Sequence, residues 1–192
     1  MKSLCVYLGS MRNVDDVYVA AARELGRTLA ERGIRLIYGA GNVGLMGELA
    51  NACLEAGGEV VGVIPRSMVE REWAHLGLSK LHVVDSMHER KAMMADLADA
   101  FLAMPGGLGT LEEIAECLTW IQLGFTHKPA AFWNVNGYYN LLRDFFGKMR
   151  EEGFIRPADS EIIFMDESLG ELLRHLEATC AGKRSPDHLK GI

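Results

Sequence analysis

The chain has 192 residues, of which 49% are hydrophobic, and it carries a formal net charge of -6. This length suits one domain with a full-sized core, and the apolar content excludes a disordered chain. The negative charge disfavours non-specific nucleic-acid binding, and no apolar run reaches the roughly eighteen residues that a membrane helix needs. We therefore expect a globular domain whose partners include no nucleic acid and no membrane.

The spacing of the cysteines and histidines indicates which kinds of site the protein can contain. The four cysteines show no C-x-x-C spacing, and the six histidines show no zinc-binding pattern. The cysteines are typical of small apolar residues in a reducing compartment, and no metal site is expected. The first ten residues indicate a strand rather than a signal peptide, so we expect a cytoplasmic location.

Short apolar runs alternate with amphipathic segments along the chain. In chain order, this pattern predicts strands over residues 4–8, 34–38, 60–64, 81–84, 100–104, 130–133 and 162–165. Helices are predicted over residues 14–32, 45–56, 87–97, 111–123, 138–151 and 169–176, each after a strand. The interval 66–80 is the least regular interior segment.

This alternation predicts an α/β fold: a doubly wound, Rossmann-like parallel sheet with helices on both faces, in a single domain. Residues 1–180 are expected to form the domain. Residues 181–192 are expected to form a flexible C-terminal tail, because they are mainly polar and contain Pro186. Ligands of such sheets bind beyond the carboxyl ends of the strands, where the strand order reverses.

Three glycine-bearing turns follow predicted strands. They are Gly9-Ser10, the run from Gly39 through Gly41 to Gly44, and the run from Gly106 to Thr110. Glycine lets a ligand approach the backbone closely, and a helix N-terminus beyond the loop offers N–H groups to a phosphate. A single turn of this kind is often purely structural, but several at one edge of a sheet favour a phosphate or nucleotide site.

The second of these turns matches the G-x-G-x-x-G pattern of dinucleotide-binding enzymes. That fingerprint normally follows the first strand and is supported by an acidic residue about twenty positions further on. Here it follows the second strand, and the strand at 60–64 ends without an acid. Hydride transfer on NAD is therefore disfavoured.

Two segments have the spacing of a helix capping box. Ser86-x-x-Glu89 predicts the start of the helix at 87–97, and Thr110-x-x-Glu113 predicts Thr110 as an N-cap with Glu113 reaching back to its N–H. The second box opens directly onto a glycine loop at the ligand-binding edge. Its carboxylate could therefore face a ligand instead, and spacing alone leaves both interpretations open.

Arg90 lies on an otherwise apolar helix face with Met87, Met94 and Leu97. One interpretation is a side chain whose charge reaches solvent at the rim. The other is a guanidinium in a partly dry pocket that pairs with an anion. Lys91, on the neighbouring face, is compatible with a plain solvent charge.

Two further features have no strong assignment from composition. Glu72 lies in the irregular interval and is typical of a surface charge. The segment from Trp120 to Phe125 carries more apolar surface than one helix stripe needs. It is compatible with burial in a monomer core or with a homodimer interface.

Together these motifs resemble the LOG ("lonely guy") proteins, which are cytokinin riboside 5′-monophosphate phosphoribohydrolases. Many relatives were once labelled lysine decarboxylases. The matching runs are Tyr38–Gly41 with Gly44–Gly47, Met87–Lys91 and, most specifically, Pro105–Glu113, which fits the family's P-G-G-x-G-T-x-x-E motif. The resemblance covers nearly the whole chain.

The resemblance implies hydrolysis of the N-glycosidic bond of adenosine-type 5′-monophosphates, AMP among them, by a homodimer without a cofactor. It implies that Arg90 and Glu113 are catalytic. The family's nucleotide-contacting positions fall on Glu72, Lys91, Gly107, Leu108, Gly109, Thr110, Leu111, Glu112 and Thr119. The motifs add Gly9, Ser10, Gly39, Gly41, Gly44, Met87 and Gly106 as candidates for substrate binding.

The chain departs from the family pattern at two turns. Ala40 stands where the family's Y-G-G-G has its second glycine, and the turn at Gly9-Ser10 differs in its flanking residues. We expect both departures to affect contacts with the base or ribose more than the chemistry. They leave the exact substrate open.

Breaking an N-glycosidic bond develops positive charge at the anomeric carbon of the sugar. Glu113 is expected to stabilise that charge or to align the attacking water, and Arg90 to orient the nucleotide. The loop 106–110 is expected to hold the phosphate. Two alternatives stay open: a nucleotide sensor without catalysis, and a decarboxylase that carries pyridoxal phosphate on Lys91.

Overall fold

The computed structural model describes residues 1–69 and 74–182. Within these ranges the strands are β1 (Ser3–Tyr7), β2 (Arg35–Tyr38), β3 (Val60–Pro65), β4 (Lys80–Val84), β5 (Ala100–Ala103), β6 (Ala130–Trp133) and β7 (Phe164–Asp166). The helices are α1 (Asp16–Glu31), α2 (Gly44–Glu55), α3 (Arg66–Val69), α4 (Met87–Leu97), α5 (Leu108–Gln122), α6 (Asn140–Glu151) and α7 (Leu169–Ala181). The predicted α/β fold is confirmed.

One sheet joins the strands in the order β4-β3-β2-β1-β5-β6-β7, and every neighbouring pair is parallel. The chain builds outward from β1 to β4, returns to the other side of β1 as β5, and continues outward to β7. The order thus reverses between β1 and β5. In sheets of this type that reversal opens a crevice beyond the carboxyl ends of the two strands.

β1 shows how both faces of the sheet are covered. Leu4 and Val6 pack in one core with residues of α1, α2 and α7. Cys5 and Tyr7 pack in a second core with residues of α4, α5 and α6. A parallel strand that is buried on both faces is a continuous apolar run in the sequence, which is why this strand was predictable.

The start of α5 differs from the prediction. The helix begins at Leu108, three residues before the expected start, and Gly107 is its N-cap without a side-chain hydrogen bond. Thr110 therefore lies inside the first turn, so the capping-box prediction for Thr110 and Glu113 is wrong. The physical reason is that the glycine loop runs directly into the helix and leaves its first N–H groups without a side-chain cap.

Two other segments correct the predicted boundaries. α7 extends five residues beyond its expected end because Cys180 packs against the first core. One residue of the predicted tail is therefore helical, and 183–192 lie outside the described residues. In the irregular interval, α3 forms one helical turn, and Ala74 bridges Gly41 in antiparallel fashion. Over the described ranges, no helix has the length and apolar character to cross a membrane.

Candidate active site

A cavity of about 550 Å³ opens at the carboxyl ends of β1, β2, β3 and β5. Its position is the crevice at which the strand order reverses, and its size is that of a small-molecule site. The predicted site residues that line it are Gly9, Ser10, Gly39, Gly41, Arg90, Gly107, Leu108, Gly109, Thr110 and Glu113. The fold thus brings together residues from all three glycine-bearing turns.

Two ionisable side chains reach the cavity from different helices. α4 carries Arg90 and α5 carries Glu113, and the Arg90 Nη1 lies 3.4 Å from the Glu113 Oε1. The two side chains are only 9% and 11% exposed. Of the two interpretations of Arg90, the structure supports a guanidinium held in a partly dry pocket.

The guanidinium of Arg90 is fixed along one edge. Its Nε donates a hydrogen bond to the Val63 carbonyl oxygen at 3.2 Å, and Nη1 lies 3.9 Å from the Met87 sulfur. No hydrogen bond of Nη2 is found within the described ranges. Nη2 borders Gly39, where a Cβ atom would collide with it. One edge of the guanidinium is therefore available to a ligand that enters the cavity.

Burial and charge act in opposite directions on Glu113. Burial raises the pKa of the Glu113 carboxyl, and the Arg90 guanidinium beside it partly offsets that rise. The carboxyl therefore releases its proton at a higher pH than an exposed glutamate does. Once ionised in this partly dry place, it interacts more strongly with a nearby positive charge than a solvated carboxylate would.

The junction of the β5–α5 loop with α5 leaves open space at Gly107, which is the N-cap of the helix, and at Gly109 in its first turn. Apart from the adjacent residues and the local helix backbone, no atom lies within 4 Å of the position that a Cβ would take at Gly107 or at Gly109. Gly106 is different, because a Cβ there would collide with the buried side chain of Thr110. The uncapped first turn of α5 thus faces a space that no side chain fills, which suits an anion.

The remaining predicted site residues lie away from the lining. These are Gly44, Met87, Lys91, Gly106, Leu111, Glu112 and Thr119. Thr119 lies on the exposed side of α5 and donates to the Ala115 carbonyl oxygen at 2.8 Å. Glu72 lies outside the described residues. The substrate contacts implied for these positions stay predictions.

Lys91 joins the two helices that carry the charged pair. Its Nζ lies 2.5 Å from the Glu112 Oε1 and 3.0 Å from the Glu116 Oε2. The hydrogen bond to Glu112 raises the pKa of the lysine. A Schiff base requires a neutral amine in the cavity, and the part of the chain that the structure describes places no lysine in its lining. The residues present therefore do not fit pyridoxal phosphate.

Sequence reasoning missed the apolar wall of the cavity. Met46 of α2, Ile64 of β3, Met68 of α3 and Met94 of α4 line it. Methionine adapts its shape to a ligand more readily than branched side chains do. Met94 was visible as part of the apolar face that carries Arg90, but the other three could be found only from the strand order.

The departure at Ala40 lies behind the cavity rather than in it. Its side chain is fully buried and packs with Ile64 and Ala74. The side chain therefore does not contact a ligand in the cavity directly, and the expected effect on base or ribose contacts stays a prediction. Ala40 has a φ of 58° and lies between Gly39 and Gly41, both of which do line the cavity.

The apolar end of α5 is only partly buried. Trp120 packs against the second core, whereas Leu123 and Phe125 are 49% and 77% exposed. The monomer core therefore does not absorb the whole segment. The homodimer stays a prediction.

Comparison with known proteins adds independent evidence. A family model described as "Possible lysine decarboxylase" matches residues 46–176. A cytokinin riboside 5′-monophosphate phosphoribohydrolase of Rhodococcoides fascians is 46% identical over 96% of this chain and 90% of its own length. A protein of the same description from Arabidopsis thaliana is 44% identical, over 92% of this chain and 82% of its own length.

Solved structures agree on the fold. The molybdenum cofactor carrier protein of Chlamydomonas reinhardtii superposes with a TM-score of 0.70 over 94% of this chain and 99% of its own, at 20% identity. The molybdenum cofactor binding protein of Rippkaea orientalis gives a TM-score of 0.71 over 93% of this chain and 97% of its own, at 19% identity. At such low identity the likeness concerns the fold alone. The sequence matches go further, and by them the chain belongs to the LOG family of cytokinin riboside 5′-monophosphate phosphoribohydrolases.

Proposed function

We propose that this protein hydrolyses the N-glycosidic bond of adenosine-type nucleoside 5′-monophosphates to free base and ribose 5-phosphate. The observation that carries the proposal is the Arg90–Glu113 pair, nearly buried in a cavity that also contains the uncapped start of α5. The family relationship supports the same reaction, since the relatives are named for it.

The phosphate would bind at the β5–α5 loop. The N–H groups of the first turn of α5 carry the positive end of the helix dipole, and Gly107 and Gly109 leave room beside them. An anion held there fixes one end of the nucleotide. The sugar is then confined to the part of the cavity that Glu113 lines.

Glu113 would act at the anomeric carbon. As the glycosidic bond breaks, this carbon gains positive charge, which an adjacent carboxylate stabilises. The same carboxylate can accept a hydrogen bond from the attacking water and so align it. Arg90 would hold the carboxylate in place through Nη1 and donate from its free edge to the substrate.

The apolar wall would receive the base. Met46, Ile64, Met68 and Met94 offer a surface suited to a purine face, and flexible methionines accommodate a base of variable size. We therefore include both AMP and AMP with an isopentenyl-type N6 substituent among the proposed substrates.

Incubation with AMP and, separately, with isopentenyladenosine monophosphate tests the proposal, with free base and ribose 5-phosphate followed by chromatography. We expect release of base, and a loss of about a hundred- to a thousandfold in kcat for Glu113→Gln, because a charge that stabilises the transition state is removed. Thermal unfolding of the variant shows whether the fold is kept. Normal turnover in a folded Glu113→Gln protein would exclude the catalytic role, whereas AMP binding without base release by the unaltered protein would indicate a sensor.

The pH dependence of kcat/KM tests the protonation state of Glu113 in the same assay. Since its pKa is raised and the ionised form is needed, activity should fall on the acid side with an inflection above the ordinary glutamate value of 4.5. Protein stability should change with pH in the opposite direction to activity. A raised pKa means that the folded state binds this proton more tightly, so the contribution of Glu113 to stability decreases as pH rises through that window.

A further inference from the structure

Two consecutive tyrosines hold the β5–α5 loop from outside the cavity. The Tyr138 hydroxyl donates to the Gly106 carbonyl oxygen at 2.5 Å, and the Tyr139 hydroxyl donates to the Met104 carbonyl oxygen at 2.6 Å. Neither tyrosine lines the cavity. Both act on the backbone of the loop that, under the proposed function, receives the phosphate.

A tight turn after β6 places the two rings. Asn136 and Gly137 have φ values of 51° and 69°, which delay the start of α6 until Asn140. The buried Asn134 fixes this turn, since its Oδ1 accepts from the Tyr139 N–H at 2.6 Å and its Nδ2 donates to the Asn140 Oδ1 at 2.8 Å. These two hydrogen bonds connect the turn to the start of α6 and place both tyrosines beside the β5–α5 loop.

The two tyrosines differ in what else they do. Tyr139 is 2% exposed and packs against Phe132, so its ring is part of the core. Tyr138 is 44% exposed, and its ring meets the edges of Tyr18 and Tyr139. A half-exposed ring contributes less to the core than a buried one. Removal of the Tyr138 hydroxyl should therefore affect mainly the hydrogen bond to Gly106.

The geometry of the peptide bond links Tyr138 to the cavity. In a trans peptide the carbonyl and the following N–H point in opposite directions. Holding the Gly106 carbonyl on Tyr138, away from the cavity, therefore turns the Gly107 N–H to the other side. Gly107 lines the cavity and has open space beside it.

We propose that Tyr138 is a positioning residue that orients the Gly106–Gly107 peptide so that the Gly107 N–H donates to the 5′-phosphate of the substrate. This inference rests on the proposed function, because it takes the β5–α5 loop as the phosphate subsite. It predicts an effect that depends on the phosphate and not on the base or the sugar.

The test compares the binding of AMP and of adenosine to Tyr138→Phe by calorimetry, in the Glu113→Gln background so that turnover does not interfere. We expect the dissociation constant for AMP to rise about three- to tenfold, as for the weakening of one hydrogen bond, while that for adenosine stays unchanged. Tyr18→Phe is the matched control, since no hydrogen bond of its hydroxyl is found in the described ranges. It should bind both ligands as the parent does.

The binding measurements test the positioning role of Tyr138 independently of the proposed hydrolysis. Unchanged AMP affinity in Tyr138→Phe, or an equal loss for AMP and adenosine, would overturn the positioning role. AMP binding no tighter than adenosine binding in the parent would also overturn it, because the loop would then hold no phosphate. Absence of base release by the unaltered protein would refute the proposed hydrolysis but would leave these binding results valid.

Discussion

The two long glycine-rich loops of the site, β2–α2 and β5–α5, use glycine for different purposes. In the β2–α2 loop the glycines make room for the protein itself. A Cβ on Gly39 would collide with the guanidinium of Arg90. Gly44 has a φ of 60°, and a Cβ there would lie 2.5 Å from the carbonyl oxygens of Ser10 and Met11. This loop is filled by neighbouring residues.

Where the β5–α5 loop joins α5, two of the three glycines leave space that no residue in the described ranges fills. At Gly107 and Gly109 a Cβ atom would meet no atom within 4 Å beyond the adjacent residues and the local helix backbone, and both residues line the cavity. Gly106 is the exception, since Thr110 packs over it. The difference lies in the neighbours of each glycine rather than in the glycine spacing.

This contrast shows why the G-x-G-x-x-G match was misleading as a dinucleotide fingerprint. The motif satisfies the packing of the β2–α2 turn against Arg90 and the first turn of the chain. The open backbone that an anion requires is found instead in P-G-G-x-G-T. Substitutions that add a single methyl group to each loop should therefore have different consequences.

Among the substitutions in these two loops, the largest effect is expected for Gly39→Ala. The added methyl displaces the Arg90 guanidinium, because a side-chain end moves more easily than backbone. Glu113 then loses its charged partner, and kcat/KM should fall about a hundredfold, as for loss of one transition-state contact. Steady-state kinetics with AMP measure the loss, and thermal unfolding verifies that the fold survives.

Arg90→Met and the double variant test the cause of that loss. If Gly39→Ala acts through Arg90, the double variant should be hardly slower than Arg90→Met alone, since the two changes remove the same interaction. Additive losses would show that the methyl group at position 39 acts directly on the substrate. The β2–α2 loop would then be a ligand loop like its counterpart.

Gly109→Ala is expected to have a smaller effect on activity than Gly39→Ala. It should increase the stability of the fold but weaken the binding of substrate. Position 109 lies in the first turn of α5 and does not have a positive φ, so alanine should stabilise the fold by about 0.5 kcal/mol. The methyl occupies the space proposed for the phosphate, so KM for AMP should rise about tenfold, the equivalent of roughly 1.4 kcal/mol.

Gly147→Ala is the matched control for that prediction. Gly147 lies within α6, and a Cβ there would meet only the Arg150 Nη2, at 3.9 Å. Chemical denaturation should show a similar or larger gain in stability, while KM stays unchanged. If Gly109→Ala binds AMP normally, the open space beside the β5–α5 loop is not where the phosphate lies.

Much of the fold could be predicted because the strands β1, β3, β5 and β6 are fully buried. The apolar run at β1 and the alternation of strands with helices required no tertiary information. The two capping boxes show the limit of local patterns. Ser86 does cap α4, accepting from the Glu89 N–H at 3.1 Å, whereas Thr110 lies within α5 despite the same spacing. What separates them is the glycine loop ahead of Thr110, which lets the helix start earlier.

The site was only partly predictable for a geometric reason. Residues on the loops after the strands could be expected at one edge of the sheet. Which side chains from different helices meet there, however, depends on the strand order and on how each helix is rotated about its axis. Arg90 and Glu113 lie on helices that pack on the same face of the sheet, and no sequence spacing encodes their 3.4 Å separation. Lys91, one residue from Arg90, points instead to Glu112 and Glu116.

The smallest effect is expected for Ala40→Gly, which restores the family's glycine in the β2–α2 loop. Glycine removes the cost of a left-handed alanine, about 1 kcal/mol, but loses a buried methyl worth about 0.8 kcal/mol. That methyl occupies the space that Gly62 leaves on β3. Stability in chemical denaturation should therefore change by less than about 1 kcal/mol, and the ratio of kcat/KM for AMP to that for isopentenyladenosine monophosphate should not change. A shifted ratio would show that this loop senses the base after all, and would make Ala40 a determinant of specificity rather than of packing.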